Sequence, residues 1–392
     1  MKSVKAVRFG YKPTQETREL LSTFRMMVNH AINIALEEKI KGRLRLRDRI
    51  YKEFNERYSA VTCYPYSVAE VAWSIVKKHR RWHRKPVAEG LMLKMDSASY
   101  SLNYGILSLP NRKGQRLLIP LKYGDWQRSF LMDASLKRGS VTMTEFTIVI
   151  AFSREAKEIE PVRKIGYDLN HKSVVGSDGT RIVLSKVARL HTEYGVRRSE
   201  FYERHSNDRR LKQKFSGSRR ERERIKQTLN VISKQVVEKA LRNREAIVLE
   251  RLKGIRKAHM KGNGMGRGSR RRANLWPFRL LQQQISNKAA WAGVQVEFVD
   301  PRNTSKECSR CHYINKKLKV TERSWLCPEC GCQLDRDLNA AVNIERRGKI
   351  PCLPMVQAGA RGMDEAVKGN EAMTAPILLA EAPKLGNSGR SR

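Results

Sequence analysis

Four cysteines constrain this chain more than any other feature. Cys308 and Cys311 form one C-x-x-C pair, Cys327 and Cys330 form a second, and fifteen residues separate the pairs. Thiolates at this spacing close a tetrahedron around zinc. Each pair turns as a tight knuckle, and the stretch between them is expected to fold as a short hairpin. Four protein ligands leave no position for water, so the expected role is structural. Cys332 and His312 lie close enough in sequence to substitute for a ligand, but the two pairs are the simpler set. Cys63 and Cys352 read as ordinary thiols. Seven cysteines, an odd number, behind an N-terminus with no apolar leader read as metal ligation in a reducing compartment rather than a disulfide framework.

Charge narrows the partners. Lys and Arg total 79 against 39 Asp and Glu, a formal net charge of +40 over 392 residues. An excess of this size repels itself unless a polyanion offsets it. The hydrophobic share of 40% is still enough for real cores, so the chain is no basic tail and its length suggests two or three domains. The longest apolar run, Phe146–Phe152, is far short of the roughly 18 residues a membrane span needs. No basic amphipathic anchor stands out, and nucleic acid is the expected partner.

Local patterns divide the chain. A strand over Val4–Tyr11 stops at Pro13, and Thr14 caps a helix whose apolar positions run from Leu20, Leu21 and Phe24 through Met27, Val28, Ala31, Ile32 and Ala35. Helical spacing returns over Val68–Trp82. Short strand-like runs follow at Ile106–Leu109, Leu117–Ile119 and Phe146–Phe152. Glu155–Arg163 reads as a linker. Strands are then expected at Lys164–Leu169, Thr180–Leu184, Ala246–Glu250 and Val294–Val299. Helices are expected over Arg197–Arg242, Pro277–Ala292 and Leu338–Arg346. Beyond Pro351 firm periodicity ends, which predicts a disordered tail.

Three carboxylates stand at element ends: Asp168 and Glu250 on apolar strands, and Asp337 at a helix start. Singly, each has an ordinary reading as a strand-end acid, a loop acid or an N-cap. Together they match a chemical need. Phosphodiester cleavage is helped by two Mg²⁺ ions, roughly 4 Å apart, that activate water and stabilise the leaving oxygen. Mg²⁺ prefers carboxylate oxygens and uses few protein ligands.

The segments Lys164-Ile165-Gly166-Tyr167-Asp168-Leu169-Asn170, Ile247-Val248-Leu249-Glu250-Arg251-Leu252-Lys253-Gly254-Ile255 and Asp335-Arg336-Asp337-Leu338-Asn339-Ala340-Ala341-Val342-Asn343-Ile344 resemble the three split RuvC motifs of the TnpB family. That family is encoded by insertion sequences and is similar to type V CRISPR effector nucleases. The cysteine segment, preceded by Thr304-Ser305-Lys306-Glu307, and the opening Tyr11-Lys12-Pro13-Thr14 with Met27-Val28-Asn29-His30-Ala31 resemble it as well. The likeness is specific over 164–350 and diffuse over 40–160. It implies an α+β multidomain fold: a wedge-like β-barrel from 1–15 and 93–160, with a helical recognition insert over 16–92. An RNase H-like RuvC nuclease domain would follow from 161–304 and 333–350, interrupted by a zinc ribbon over 305–332, with 351–392 as the tail. It further implies Asp168, Glu250 and Asp337 as catalytic Mg²⁺ ligands. The family's x-Asn-[Ala/Gly]-Ala after the third acid selects Asp337, beside Asn339, over Asp335. The implied activity is RNA-guided cutting of DNA beside a short flanking motif, with a guide RNA from the transposon end. The alternatives are a regulator that binds but no longer cuts, and a transposase acting directly in strand transfer. The insert is short for the family, and Tyr167 and Asn170 flank the first acid where many relatives differ.

Two basic segments are the expected nucleic-acid contacts. Lys77, Lys78, Arg80, Arg81 and Arg84 surround Trp82, which combines phosphate neutralisation with a surface for base stacking. His79 and His83, four apart, lack a third metal ligand. Arg251–Arg272, ending in Arg270, Arg271 and Arg272, carries no acid and reads as a basic loop beside Glu250. The helix bearing Arg219, Arg220, Arg222, Arg224 and Lys226 also carries Glu221 and Glu223, so part of it is expected to be a solvated face. A cytoplasmic, nucleoid-associated location follows from these readings.

Overall fold

The computed structural model describes residues 2–58, 63–79, 85–112, 114–205, 208, 217–252, 276–319 and 322–353. Residues through Leu353 form one compact unit. Almost all of the expected tail lies outside the described residues. So do Arg80, Arg81, Trp82, His83 and Arg84 and most of the Arg251–Arg272 loop, including Arg270, Arg271 and Arg272.

Strand β1 (Lys2–Gly10) alternates, with Val7 and Phe9 turned into the core. The chain then turns into α1 (Gln15–Glu37). Thr14 caps it by accepting from the Thr17 amide at 3.2 Å, while Thr17 Oγ1 accepts from the Thr14 amide at 2.9 Å. These reciprocal bonds satisfy amides that the first helical turn leaves unpaired. All eight apolar positions expected to face inward on α1 are buried. Helix α2 (Arg43–Arg57) escaped the sequence reading. Its stripe of Leu46, Ile50 and Phe54 is one residue wide and hidden among charges. Helix α3 (Tyr64–His79) begins one turn earlier than expected.

The β module has six more strands. They are β2 (Met92–Met95), β3 (Ser101–Asn103), β4 (Ile106–Arg112), β5 (Gln115–Pro120), β6 (Lys137–Thr144) and β7 (Thr147–Glu155), with α4 (Asp125–Met132) between β5 and β6. They form two antiparallel sheets, β1-β7-β6-β2 and β3-β4-β5. Gly10 and Lys122 join them, exchanging backbone bonds of 3.0 and 2.6 Å.

The second half is built on a five-stranded mixed sheet. Its strands are β8 (Arg163–Leu169), β9 (Ser173–Gly176), β10 (Arg181–Val183), β11 (Glu245–Glu250) and β12 (Val296–Val299), in the order β10-β9-β8-β11-β12. β8, β11 and β12 run parallel, and β9 and β10 are antiparallel to their neighbours. The long basic helix expected over Arg197–Arg242 is described as two helices, α5 (Ser185–Arg204) and α6 (Gly217–Arg242). Part of α6 is the solvated face that was expected, with Glu221 as the exception. It is buried and joins α6 to α5 through His191 at 3.0 Å and Arg198 at 2.6 Å, whereas Arg219, Arg220, Arg222, Glu223 and Arg224 are exposed.

The two faces of this sheet differ because strand side chains alternate. Ile165, Tyr167, Leu169, Ile247 and Leu249 point into a core shared with α5, α6 and α7 (Phe278–Ala292). Gly166, Asp168, Val248 and Glu250 occupy the opposite face. There α8 (Arg336–Arg347) covers the sheet, and Ile344 packs on Val248 and Val299. Among the described residues, no helix is long and apolar enough to cross a membrane.

Candidate active site

Asp168 and Glu250 come together through sheet register. The parallel ladder pairs Leu249 with Tyr167, and each acid is the next residue on its strand. Asp337 arrives on the first turn of α8, which runs antiparallel to β8. Lys164 Nζ donates to the Gly348 carbonyl at 2.7 Å at one end, and Gly166 meets Ala341 and Glu345 in the middle. The four residues from Ala341 back to Asp337 rise roughly 6 Å, and the two from Gly166 to Asp168 span roughly 6.6 Å. The near match of these steps brings Asp337 to the level of Asp168. All three acids are buried, at 8–9% exposure.

Gly166 makes this approach possible. A Cβ there would lie 2.2 Å from the Ala341 carbonyl oxygen and 2.5 Å from the Glu345 amide. The helix backbone rests on the strand, so any side chain must lift α8 away. Gly166→Ala is therefore expected to cost roughly 1–3 kcal/mol of stability, the usual cost of overpacking. A melting temperature equal to that of the wild type would contradict this.

The environment holds negative charge uneasily. Burial, and then the charges of Glu250 and Asp337, push the Asp168 carboxyl up to about 7. Burial also raises Glu250, opposed by a hydrogen bond from the Thr304 hydroxyl and by the charge of Arg347. Asn170 Nδ2 reaches Asp168 Oδ2 at 3.4 Å, and its Oδ1 accepts from the Lys172 and Ser173 amides at 2.9 Å each, which fixes its orientation. Gln282 donates to the Glu250 carbonyl at 2.6 Å. Asp337 pairs with Arg323 at 3.3 Å and Arg181 at 3.5 Å. A hard divalent cation would relieve the repulsion that Glu250 and Asp337 exert on Asp168, although among the described residues only the four cysteines bring all their ligand atoms within 4.8 Å of one another.

Asp335 has a different task. It caps α8, accepting from the Asp337 and Leu338 amides at 3.0 and 2.9 Å. Asn339, with Asn343 one turn later, holds the 304–309 loop. Both donate to the Glu307 carbonyl at 2.7 Å, Asn343 also to the Thr304 carbonyl at 2.9 Å, and Asn339 Oδ1 accepts from the Ser309 amide at 2.8 Å. Tyr167 is a core residue on the far face.

The four cysteines converge, with all four sulfurs within 4.8 Å of one another. Cys308 and Cys330 sulfurs are 3.7 Å apart, and those of Cys311 and Cys327 are 3.5 Å apart. A tetrahedral zinc with bonds of about 2.3 Å places sulfurs about 3.8 Å apart, so the cluster is compatible with a structural zinc site. The two knuckles share one backbone design. His312 and Gly331, each following the second cysteine of its pair, adopt φ of +66° and +67°, and their amides donate to the Cys308 and Cys327 carbonyls at 2.9 Å. This positions His312 toward Glu307 and Arg346. Cys332 closes the second knuckle by accepting from the Cys327 amide at 2.9 Å. The expected hairpin between the pairs is corrected. β13 (Ser324–Leu326) and β14 (Gln333–Asp335) pair across the second knuckle, and Glu307 bridges Ile314 across the first. Each knuckle is itself a reversal, so pairing forms around it.

A family model described as Cas12f1-like, TNB domain, matches residues 278–344, which hold the cysteine cluster and Asp337. The TnpB-like protein MJ0751 of Methanocaldococcus jannaschii is 31% identical over 252 residues, covering 59% of this chain and 87% of that protein. This chain belongs to the TnpB family. The CRISPR-associated endodeoxyribonuclease Cas12f1 of Sulfoacidibacillus thermotolerans is 39% identical over 69 residues, 18% of this chain and 16% of that one. In fold, the chain is similar to Cas12f1 in its complex with sgRNA and target DNA, with a TM-score of 0.56 over 85% of this chain and 83% of that one at 14% identity.

In this TnpB-family chain the sequence reading missed Gln282, Arg181 and Arg323 around the acids, and it placed Thr304 only in the segment ahead of the cysteines, without a role. Each reaches the site through tertiary structure. Lys77 and Lys78, the described members of the first basic segment, are exposed at the end of α3.

Proposed function

We propose that this protein is an RNA-guided DNA endonuclease encoded by a transposon, cutting beside a short flanking motif. The observation that carries the reading is the convergence of Asp168, Glu250 and Asp337 on one sheet face in a TnpB-family chain. The order β10-β9-β8-β11-β12, with three antiparallel-connected strands followed by two parallel ones, supports an RNase H-like RuvC domain over 161–304 and 333–350. On this reading 305–332 is the zinc ribbon, and the two N-terminal sheets form the wedge-like barrel around the helical insert of 16–92. Relatives named as endodeoxyribonucleases, and a neighbour whose complex holds guide RNA and target DNA, support the partner class. A guide–target duplex of ~20 base pairs carries roughly 40 phosphates, comparable with the net charge of +40.

Asp168, Glu250 and Asp337 would hold Mg²⁺. When bound, Mg²⁺ supplies activation of water and stabilisation of the leaving oxygen. The remaining work belongs to the chain. Thr304 and Gln282 hold Glu250 from its side chain and its backbone, and Asn170 donates to Asp168. α8 fixes the third acid against Gly166. The cysteine cluster anchors the hairpin that runs directly into α8. Sequence specificity would rest on base pairing, with protein contacts reading duplex shape and the flanking motif.

The test is to purify the protein with co-expressed element-end RNA, sequence the RNA that it retains, and offer DNA matched to that guide. Cleavage that requires both the guide and Mg²⁺ is expected. Guide-independent products, or strand-transfer products from a donor DNA, would overturn the reading.

A further inference from the structure

Arg323 lies between the cysteine hairpin and the carboxylates. It directly precedes β13, and its carbonyl accepts from the Arg336 amide at 2.8 Å, which holds it across from the start of α8. Its guanidinium meets Asp337 Oδ1 at 3.3 Å. Asp337 is its only ion-pair partner among the described residues. The Asp337 side chain is 12% exposed and that of Arg323 is 51% exposed, so the arginine stands on the solvent side of the acid. Arg181 meets Asp337 at 3.5 Å but is tethered elsewhere, to Asp335 at 3.2 Å and to Ser173 Oγ at 3.3 Å. Of the two guanidinium groups, Arg323 is the one that can leave.

We infer that Arg323 is an exchangeable counter-ion, paired with Asp337 in the nucleic-acid-free protein and transferred to a backbone phosphate of the DNA strand when that strand enters the site. Guanidinium pairs with carboxylate and phosphate through the same planar fork, so the exchange keeps its hydrogen bonds and changes only the partner. While paired, Arg323 competes with a divalent cation for Asp337. Once it moves to phosphate, the acid is released to the cation and a positive charge lies against the strand to be cut. Substrate arrival and completion of the metal site are thereby one event. The ribbon, which carries Arg323, acquires a role in the chemistry beyond support. This inference rests on the nuclease reading of the carboxylate site.

The experiment compares the full-length protein with Arg323→Gln and Arg323→Lys. Mn²⁺ binding is followed by electron paramagnetic resonance without nucleic acid, and cleavage is then measured in the RNA-loaded protein at saturating Mg²⁺. Arg323→Gln should bind Mn²⁺ about two- to fivefold more tightly, the value of an exposed ion pair. The same variant should cut at least about tenfold more slowly, as a site does on losing one transition-state donor. Arg323→Lys should lie between it and the wild type in both measurements. A purely structural role would weaken both together or neither. Mn²⁺ affinity that is unchanged or weaker in Arg323→Gln, or cleavage at the wild-type rate, would overturn the inference. Failure of the wild-type complex to cut refutes the nuclease reading, and the Mn²⁺ titration judges the exchange independently.

Discussion

Asp168→Asn should slow DNA cleavage by about 10³-fold or more while leaving assembly with RNA and target DNA intact. The substitution keeps shape and removes one charge from the middle of the acid cluster, where a cation has few other ligands to fall back on. Single-turnover cleavage beside a filter-binding or mobility assay separates the two effects, and a variant that cuts at more than a few per cent of the wild-type rate would sink the assignment. The same variant should be more stable than the wild type when no cation is bound. Burial raises the Asp168 carboxyl from 3.8 to about 7 in the folded protein, so its ionisation opposes folding. That penalty is absent below the unfolded value, grows as pH rises, and is complete above the folded value. The ion-free variant should therefore melt above the ion-free wild type at about pH 8, and the gap should close as pH falls toward about 4. Loss of function with gain of stability is the signature of a residue retained for chemistry.

Cys327→Ser should remove zinc from the protein and abolish cleavage although every carboxylate remains. Structural zinc is worth about 10–16 kcal/mol in isolated fingers, far more than the small apolar cluster of Leu318, Trp325 and Leu334 around these thiols can replace. The damage should spread because the ribbon is tied to α8 along its length. β14 ends at the Asp335 cap, Asn339 and Asn343 hold the 304–309 loop, and Glu307 pairs with Arg346 and, at 2.6 Å, with Arg347. Metal analysis, melting and cleavage on the same preparation test this. Full activity in zinc-depleted protein would mean that α8 seats itself without the ribbon.

Short motifs were legible in the sequence wherever the chemistry is local. The cysteine pairs, the strand-end acids and the helix bearing Asp337 each declare themselves within a few residues, because knuckles, buried strands and caps have local composition. Elements without a local contrast were missed. Ser173–Gly176 offers only two apolar residues between a serine and a glycine, and α2 carries one apolar residue per turn among arginines. The partners of the acids were illegible for another reason. Thr304 reaches Glu250 across 54 positions, and Arg181 on β10 reaches Asp337 on α8 at 3.5 Å. Such pairs exist only once sheet register and the seat of α8 are set. Asn339 shows the same limit from the other side: the sequence places it next to a candidate ligand, and the fold uses it to hold a loop.

The seating of α8 on Gly166 also dictates when the molecule becomes competent during synthesis. β8 and β11 can pair as soon as residue 250 has left the ribosome, and two acids then stand side by side. The third emerges later, on a helix that follows both knuckles in the chain. A nascent chain that ends before residue 336 holds two of the three acids and, on the nuclease reading, is expected not to cut DNA. On that reading, the order of translation acts as a safety catch.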